Sequence, residues 1–167
     1  PDSLSQDSFG RIAKISYDGP ENEIYIADGY GNKRVAVVDA DTGEMKRFWG
    51  AYGNEPDDSN SERYTPGGPP LQQFRSPVHC AEVSDSGLVY VCDRAHDRIQ
   101  VFQKDGTFVD EMLVMPNTTG SGAAWDLDFS RDPDQAYIYL ADGVNQRVHI
   151  IDRANLTYLT SFGDGGR

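Results

Sequence analysis

An all-β chain built from repeated four-stranded sheets is what this sequence predicts, and three observations predict it. The first is self-similarity. Residues 24–39 read IYIADGYGNKRVAVVD, residues 88–102 read LVYVCDRAHDRIQVF, and residues 138–152 read IYLADGVNQRVHIID. Each copy places a Tyr three residues before an Asp (Tyr25/Asp28, Tyr90/Asp93, Tyr139/Asp142) and an Arg five or six residues after it (Arg34, Arg98, Arg147). The second is the chemistry inside each copy: two runs of β-branched and aromatic residues flank a short polar bend, which is the pattern of a hairpin. The third is that no segment sustains a helical period, so helix should be scarce. An array of three such units decides the architecture before any single motif does.

Taken in order, residues 1–8 are polar and expected to fray. Residues 9–18 alternate as a strand does until Asp18-Gly19-Pro20 breaks them. Strands at 23–27 and 34–39 then enclose the bend 28–33, and Asp41-Thr42-Gly43 turns the chain into a fourth strand at 44–49. Four short antiparallel strands in about forty residues are the size of one β-propeller blade. The second copy supplies strands at 74–84, 88–93, 98–103 and 107–112; the third supplies 124–130, 137–141, 147–152 and 157–162. The blades therefore occupy 9–50, 74–112 and 123–163, joined by crossovers at 51–73 and 113–122. The first crossover is too long and too rich in Pro and Gly for an ordinary connector, and loops of that length are usually functional or disordered. With Asp85-Ser86-Gly87 as the turn, Ser84 faces Leu88 and the ladder sets Cys80 opposite Cys92, as a disulfide or as two buried thiols. Two cysteines leave the compartment open.

The 167 residues include 27 acidic and 15 basic side chains, a net charge of −12. Nucleic-acid binding generally needs a basic stripe, so that class of partner is set aside, and the acidity is read as solubility. No apolar run approaches the 18 or so residues of a membrane span, so no membrane partner is expected. In a propeller the bend between a blade's second and third strands opens on the same face as the crossover to the next blade. The bends 28–33, 93–97 and 142–146 share that face with both crossovers. Tyr30, Asn32, Asp93, Arg94, His96 and Asn145 are accordingly the candidate ligand-binding residues.

These candidates differ in weight. Tyr30 sits at a bend tip between two glycines, where core packing cannot be its purpose. The Asp and Arg that recur in every copy read as scaffold, carboxylate and guanidinium bonding around the bend. Arg94 departs from the repeat, because Gly29 and Gly143 hold its position in the other copies. His79 lies on an innermost strand beside the channel and is the best metal-ligand candidate of the three histidines. His96 is expected to be exposed in its bend and His149 to pack in mid-strand. Trp49 and Trp125 read as core or blade-interface residues. Asp57, Asp58, Glu62, Asp126 and Asp128 offer oxygens for calcium without a recognisable spacing. No nucleophile–base pair and no phosphate-cradling glycine loop is present.

The strings ADGYGNKRVAVVD, VCDRAHDRIQVF and ADGVNQRVHII, with Phe74-x-x-Pro77 opening a blade, resemble NHL repeats. That resemblance implies a β-propeller of NHL type, commonly six-bladed, of which three four-stranded blades are half a ring. The other half would come from a longer chain or from a second copy in a homodimer, since an open array leaves bare edges. A narrower resemblance is to the peptidyl-α-hydroxyglycine α-amidating lyases, NHL propellers themselves. It rests on Asp28-Gly29-Tyr30-Gly31-Asn32-Lys33-Arg34, Trp49-Gly50, Phe74-Arg75-Ser76-Pro77-Val78-His79 and Cys92-Asp93-Arg94…Arg98-Ile99-Gln100, in the family's order. It implies that Tyr30 matches a catalytic tyrosine, Arg94 an active-site arginine and His79 one of three zinc-binding histidines. It also implies chemistry in which zinc polarises the substrate, a phenolate removes the carbinol proton and an arginine steadies the developing charge.

This chain departs from that family at one point: the family writes Pro-His where it writes Pro77-Val78-His79. One extra residue turns a side chain to the opposite face unless a bulge restores it. The third copy has no equivalent histidine, so further ligands would come from blades outside this sequence. Three readings follow. The first is a module binding a protein or small-molecule ligand on the bend and crossover face; the others are a metal-dependent lyase and a structural half-propeller that self-associates. Zinc or calcium is the cofactor to look for, and the resemblance favours an extracytoplasmic setting.

Overall fold

The computed structural model describes residues 2–60 and 62–165. Each sequence copy folds into one four-stranded antiparallel sheet in simple meander order. The first sheet holds β1 (Lys14–Asp18), β2 (Glu23–Asp28), β3 (Arg34–Asp39) and β4 (Met45–Trp49). The second holds β5 (Val78–Val83), β6 (Leu88–Asp93), β7 (Arg98–Gln103) and β8 (Phe108–Leu113). The third holds β9 (Asp126–Phe129), β10 (Tyr137–Asp142), β11 (Arg147–Asp152) and β12 (Thr157–Phe162). The helical content among the described residues is two single 3-10 turns, Ala51–Gly53 and Arg94–His96. Among the described residues no helix is long and apolar enough to cross a membrane. The strands at 9–18 and 74–84 are shorter than expected, pairing only from Lys14 and Val78.

The sheets stack face on face, and strand periodicity decides which side chains meet. Tyr25, Ala27, Val35, Val37 and Trp49 of the first sheet bury against Val78, Ala81, Val89, Val91 and Phe102 of the second. The alternate side chains of the second, Cys80, Tyr90, Cys92, Ile99 and Val101, bury against Leu127, Phe129, Ile138, Leu140 and Ile151 of the third. The repeated Tyr thus points toward the following sheet. Tyr25 and Tyr90 are buried there, whereas Tyr139, with no following sheet among the described residues, is 38% exposed. The innermost strands converge on one cation. Lys14 of β1 meets Glu82 of β5 at 2.8 Å and Asp126 of β9 at 2.6 Å. Cys80 and Cys92, paired in register as expected, form a disulfide.

The recurring Asp and Arg are scaffold in the first two blades. Arg34 is fully buried, bonds Asp28 Oδ2 through Nε at 3.0 Å, and donates to the carbonyls of Ser3, Ser5 and Ser8. Those bonds correct the expectation of a frayed start: residues 2–8 are held by a buried guanidinium, with Ser3 itself buried (Pro1 lies outside the described residues). Arg98 repeats the arrangement with Asp93 at 2.9 Å and the carbonyl of Gln73 at 3.3 Å. The third blade departs. Arg147 turns outward to Ser161 Oγ and Asp164, with no crossover carbonyl among its partners. Buried His149, expected only to pack, takes Asp142 instead, at 2.9 Å from Nε2.

Candidate functional site on the bend and crossover face

Two backbone features bring the first two blades together at the mouth of the stack. Gly29 lies flat against the start of β5, where a Cβ would come within 2.0 Å of the Val78 carbonyl oxygen, so only glycine permits the approach. One residue on, Tyr30 reaches over β5, and its carbonyl accepts a hydrogen bond from Ser76 Oγ at 3.1 Å. Opposite it the ladder slips: Val78 pairs with Asp93 and Cys80 with Cys92, leaving His79 as the extra residue of a bulge. The bulge lets Val78 and Cys80 both bury while His79 projects toward Tyr30.

Hydrogen bonds then fix where protons reside. The carbonyl oxygen of Trp125 can only accept, so His79 Nδ1 carries a proton and donates it there, at 2.5 Å. In the neutral ring this leaves a lone pair on Nε2, which accepts the Tyr30 hydroxyl at 3.1 Å. Arg94 donates to the same hydroxyl oxygen at 3.4 Å, its guanidinium lying 4.7 Å from the Trp125 ring centroid and 5.8 Å from that of Tyr30. Arg94 Nε is buried without a partner. Burial, aided by the Arg94 charge, lowers the His79 pKa below the usual histidine value despite the Trp125 carbonyl, so the imidazole is neutral at pH 7. The result is a half-open cluster of one cation, one hydroxyl and one imidazole walled by an indole.

Tyr30, His79 and Arg94 therefore come together, and Trp125 joins them. Read as core or blade interface, it takes the second place: half-buried against His79 and Arg94 of the preceding blade, with Nε1 bonded to the Gly122 carbonyl at 2.8 Å. The other candidates serve the bends. Asn32 is buried, donating to Asp28 Oδ2 at 2.8 Å and accepting from the Asp2 amide at 2.8 Å. Asp93 is buried between Arg98 and His96. His96, expected to be exposed, is 3% exposed because its Nδ1 is drawn 2.8 Å from the Asp93 carboxylate beneath the long crossover. Asn145 is exposed, but its amide is committed to Asp142 Oδ2 and Thr118 Oγ1.

A zinc site asks for three or four protein ligands. Among the described residues no three His, Cys, Asp or Glu side chains gather in a way that could hold a metal. The nitrogen of His79 that would ligate is engaged by Tyr30. The residues present do not fit the zinc that the lyase resemblance implies, and the oxygens considered for calcium do not converge either.

Three stacked four-stranded meanders of this kind define a β-propeller architecture. No family model matches the sequence. Among curated proteins the chain is 30% identical over 105 residues to peptidyl-glycine alpha-amidating monooxygenase B of Xenopus laevis, covering 62% of this chain and 11% of that protein. Among solved structures it resembles virginiamycin B lyase of Staphylococcus aureus, with a TM-score of 0.64 at 13% identity, over 96% of this chain and 44% of the other. It also resembles U3-55K, with a TM-score of 0.66 at 13% identity, over 98% and 42% of the two chains. The β-propeller domain of Cps50 (Swd1) from Myceliophteria thermophila matches with a TM-score of 0.59 at 12% identity, over 91% and 43%. The chain thus spans about a tenth of the curated relative and less than half of each of these propeller chains.

Proposed function

We propose that this chain is part of an NHL-type propeller that binds, at Tyr30, His79 and Arg94, a small molecule bearing a carboxylate or carbonyl oxygen. One observation carries the reading: the Tyr30 hydroxyl is held between an acceptor, His79 Nε2, and a donor, Arg94. An anionic oxygen arriving beside Arg94 meets a guanidinium whose buried Nε has no partner. The NHL-like strings support the type, and the Cys80–Cys92 disulfide supports an oxidising compartment.

The same proton path favours a second reading, a lyase resembling the amidating lyases, and the amidating relative supports it. On an N-acyl-α-hydroxyglycine, Tyr30 oxygen takes the carbinol proton while its own proton passes to His79 Nε2. The carbinol oxygen closes to C=O as the C–N bond breaks, and the amide nitrogen keeps the electron pair and takes a proton from His79. The products are an amide and glyoxylate, with Arg94 facing the carboxylate. The test is glyoxylate release from N-benzoyl-α-hydroxyglycine by the full chain, beside glyoxylate binding by calorimetry. Binding abolished by Arg94→Ala supports the first reading, and binding that survives the substitution overturns it. Turnover reduced about 100-fold or more by Tyr30→Phe supports the second, and no turnover, or turnover indifferent to Tyr30, overturns it.

We further propose that additional blades, from a longer chain or a second copy, cover the outward faces of the first and third sheets, where Ile15, Tyr17, Tyr137 and Tyr139 are exposed. The solution mass of the chain discriminates between these sources. A dimer supports pairing, and a monomer refutes it.

A further inference from the structure

A second polar site lies under the long crossover, and the internal repeat reveals it. The bend position held by Asn32 in the first blade and Asn145 in the third is His96 in the second. In all three blades this side chain donates to the aspartate that ends the second strand, at 2.8, 2.7 and 2.8 Å for Asn32, Asn145 and His96. The asparagines use their remaining polar capacity to tie down a neighbouring segment: Asn32 Oδ1 accepts from the Asp2 amide and Asn145 Nδ2 donates to Thr118 Oγ1. His96 does not. Its Nδ1 is spent on Asp93, and its Nε2, on the far edge of the ring, is buried without a partner. A buried polar atom left unpaired costs free energy and calls for an explanation.

His96 lines a cavity of about 80 Å³ whose wall is Tyr64, the glycine–proline run 67–70, Leu71 and Leu113, with Arg98 and Glu111 at its base. The polar groups at the base are occupied with one another. Arg98 holds Asp93, Tyr52 and the Gln73 carbonyl, while Glu111 accepts from Tyr52 and Gln100. Tyr64 roofs the space, its ring 6.2 Å from the His96 ring and its hydroxyl bonded to the Pro116 carbonyl in the second crossover at 2.6 Å. Among the side chains that line the cavity, His96 contributes the polar atom left without a partner, its buried Nε2.

We propose that this cavity binds a small organic molecule carrying one hydroxyl or N–H donor on an apolar body, with the donor bonded to His96 Nε2. With Nδ1–H directed at the Asp93 carboxylate, Nε2 of the neutral ring is an acceptor. A volume many times that of one water-sized probe admits a ring of six or seven heavy atoms, or a few waters. The site is separate from the Tyr30 cluster: it opens beside the outer strands β7 and β8, not over the inner strands.

Phenol and toluene, equal in shape and differing in the donor, make the test. Each is titrated into the full chain while the His96 ring nitrogens are followed by NMR, alongside His96→Asn, which restores the residue found in the other blades. The expected result is saturable binding of phenol with a shift at Nε2, toluene weaker by about tenfold or more, and loss of that preference in His96→Asn. Equal binding of the two, no shift at Nε2 (the atom then facing only water), or phenol binding unchanged in His96→Asn overturns the proposal.

Discussion

Replacing Asp97 with Asn should flatten the pH dependence of stability, and the structure sets the size of the effect. Asp97 adopts a left-handed backbone at φ 53° and ψ 37° after the 3-10 turn, which Asn tolerates. Its Oδ1 accepts from the Ala123 amide at 2.7 Å and its carbonyl from the Val114 amide at 2.6 Å, so one residue anchors both ends of the second crossover. Its Oδ2 is buried without a partner. Burial, with the charges of Asp142 and Asp93 adding and the Ala123 amide opposing, pushes the carboxyl up to about 7. Below the unfolded value near 4 both states hold the proton. Between that value and about 7 only the folded state does, so stability falls as pH rises through this window and levels off above it.

A rise of about three pK units sets a ceiling of roughly 4 kcal/mol at 1.36 kcal/mol per unit, and dielectric relaxation around the site reduces the expectation to about 2 kcal/mol. The variant keeps the Oδ1 acceptor and lacks the charge. Any cost of its unpartnered amide, about 1 kcal/mol, does not vary with pH. Urea unfolding followed by the fluorescence of Trp49 and Trp125 at pH 5 and pH 8 measures the change. Between those values wild type should lose about 1 kcal/mol more than Asp97→Asn, since part of the window lies below pH 5. Parallel losses would refute the argument that this carboxyl is protonated in the fold.

Glu23 should act with the opposite sign. Bonds from Arg47, outweighing burial and joined by Lys46, hold its carboxyl down at about 2, so its stabilisation is present above pH 4.5 and lost as pH falls toward 2. Glu23→Gln should cost about 2 kcal/mol at pH 7 and nothing at pH 2, read from the same unfolding curves. Reduction of the Cys80–Cys92 disulfide, which spans 12 residues, should lower stability by about 3 kcal/mol; a midpoint indifferent to reductant would contradict this. Arg34→Met leaves the buried Asp28 carboxylate without its counter-ion and should cost about 3–5 kcal/mol, with new proteolytic nicking within residues 2–8. Gly29→Ala should push the first bend off β5 and abolish the Tyr30–His79 contact, seen as loss of glyoxylate binding in a protein whose far-ultraviolet spectrum is unchanged.

The sequence carried the ladder well because hairpin register follows from turn chemistry and period. Strands 34–39, 88–93, 98–103, 147–152 and 157–162 pair at the expected residues, and the turn at Gly87 alone sets Cys80 opposite Cys92. What it did not show depends on contacts between distant segments. Nothing local distinguishes Arg147, which faces solvent, from Arg34, because the difference lies in the carbonyls that a crossover lays across the bend. Residues 2–8 look frayed for the same reason: their anchor lies about thirty residues away. The bulge at His79 has no turn residue to announce it and arises because both flanking side chains bury. Trp125 was legible as a core or blade-interface residue, but its role as a wall under Arg94 depends on a partner from another blade. His96 misled for a related reason, since a polar bend residue reads as solvent-facing until a crossover covers it.

The orientation of the repeated tyrosine has a practical consequence. Because Tyr25 and Tyr90 are received by the next unit and Tyr139 is presented by the third, each seam uses the same plug. A copy of the second unit appended after the third should therefore dock through Val89 and Val91, and the chain can be lengthened one module at a time.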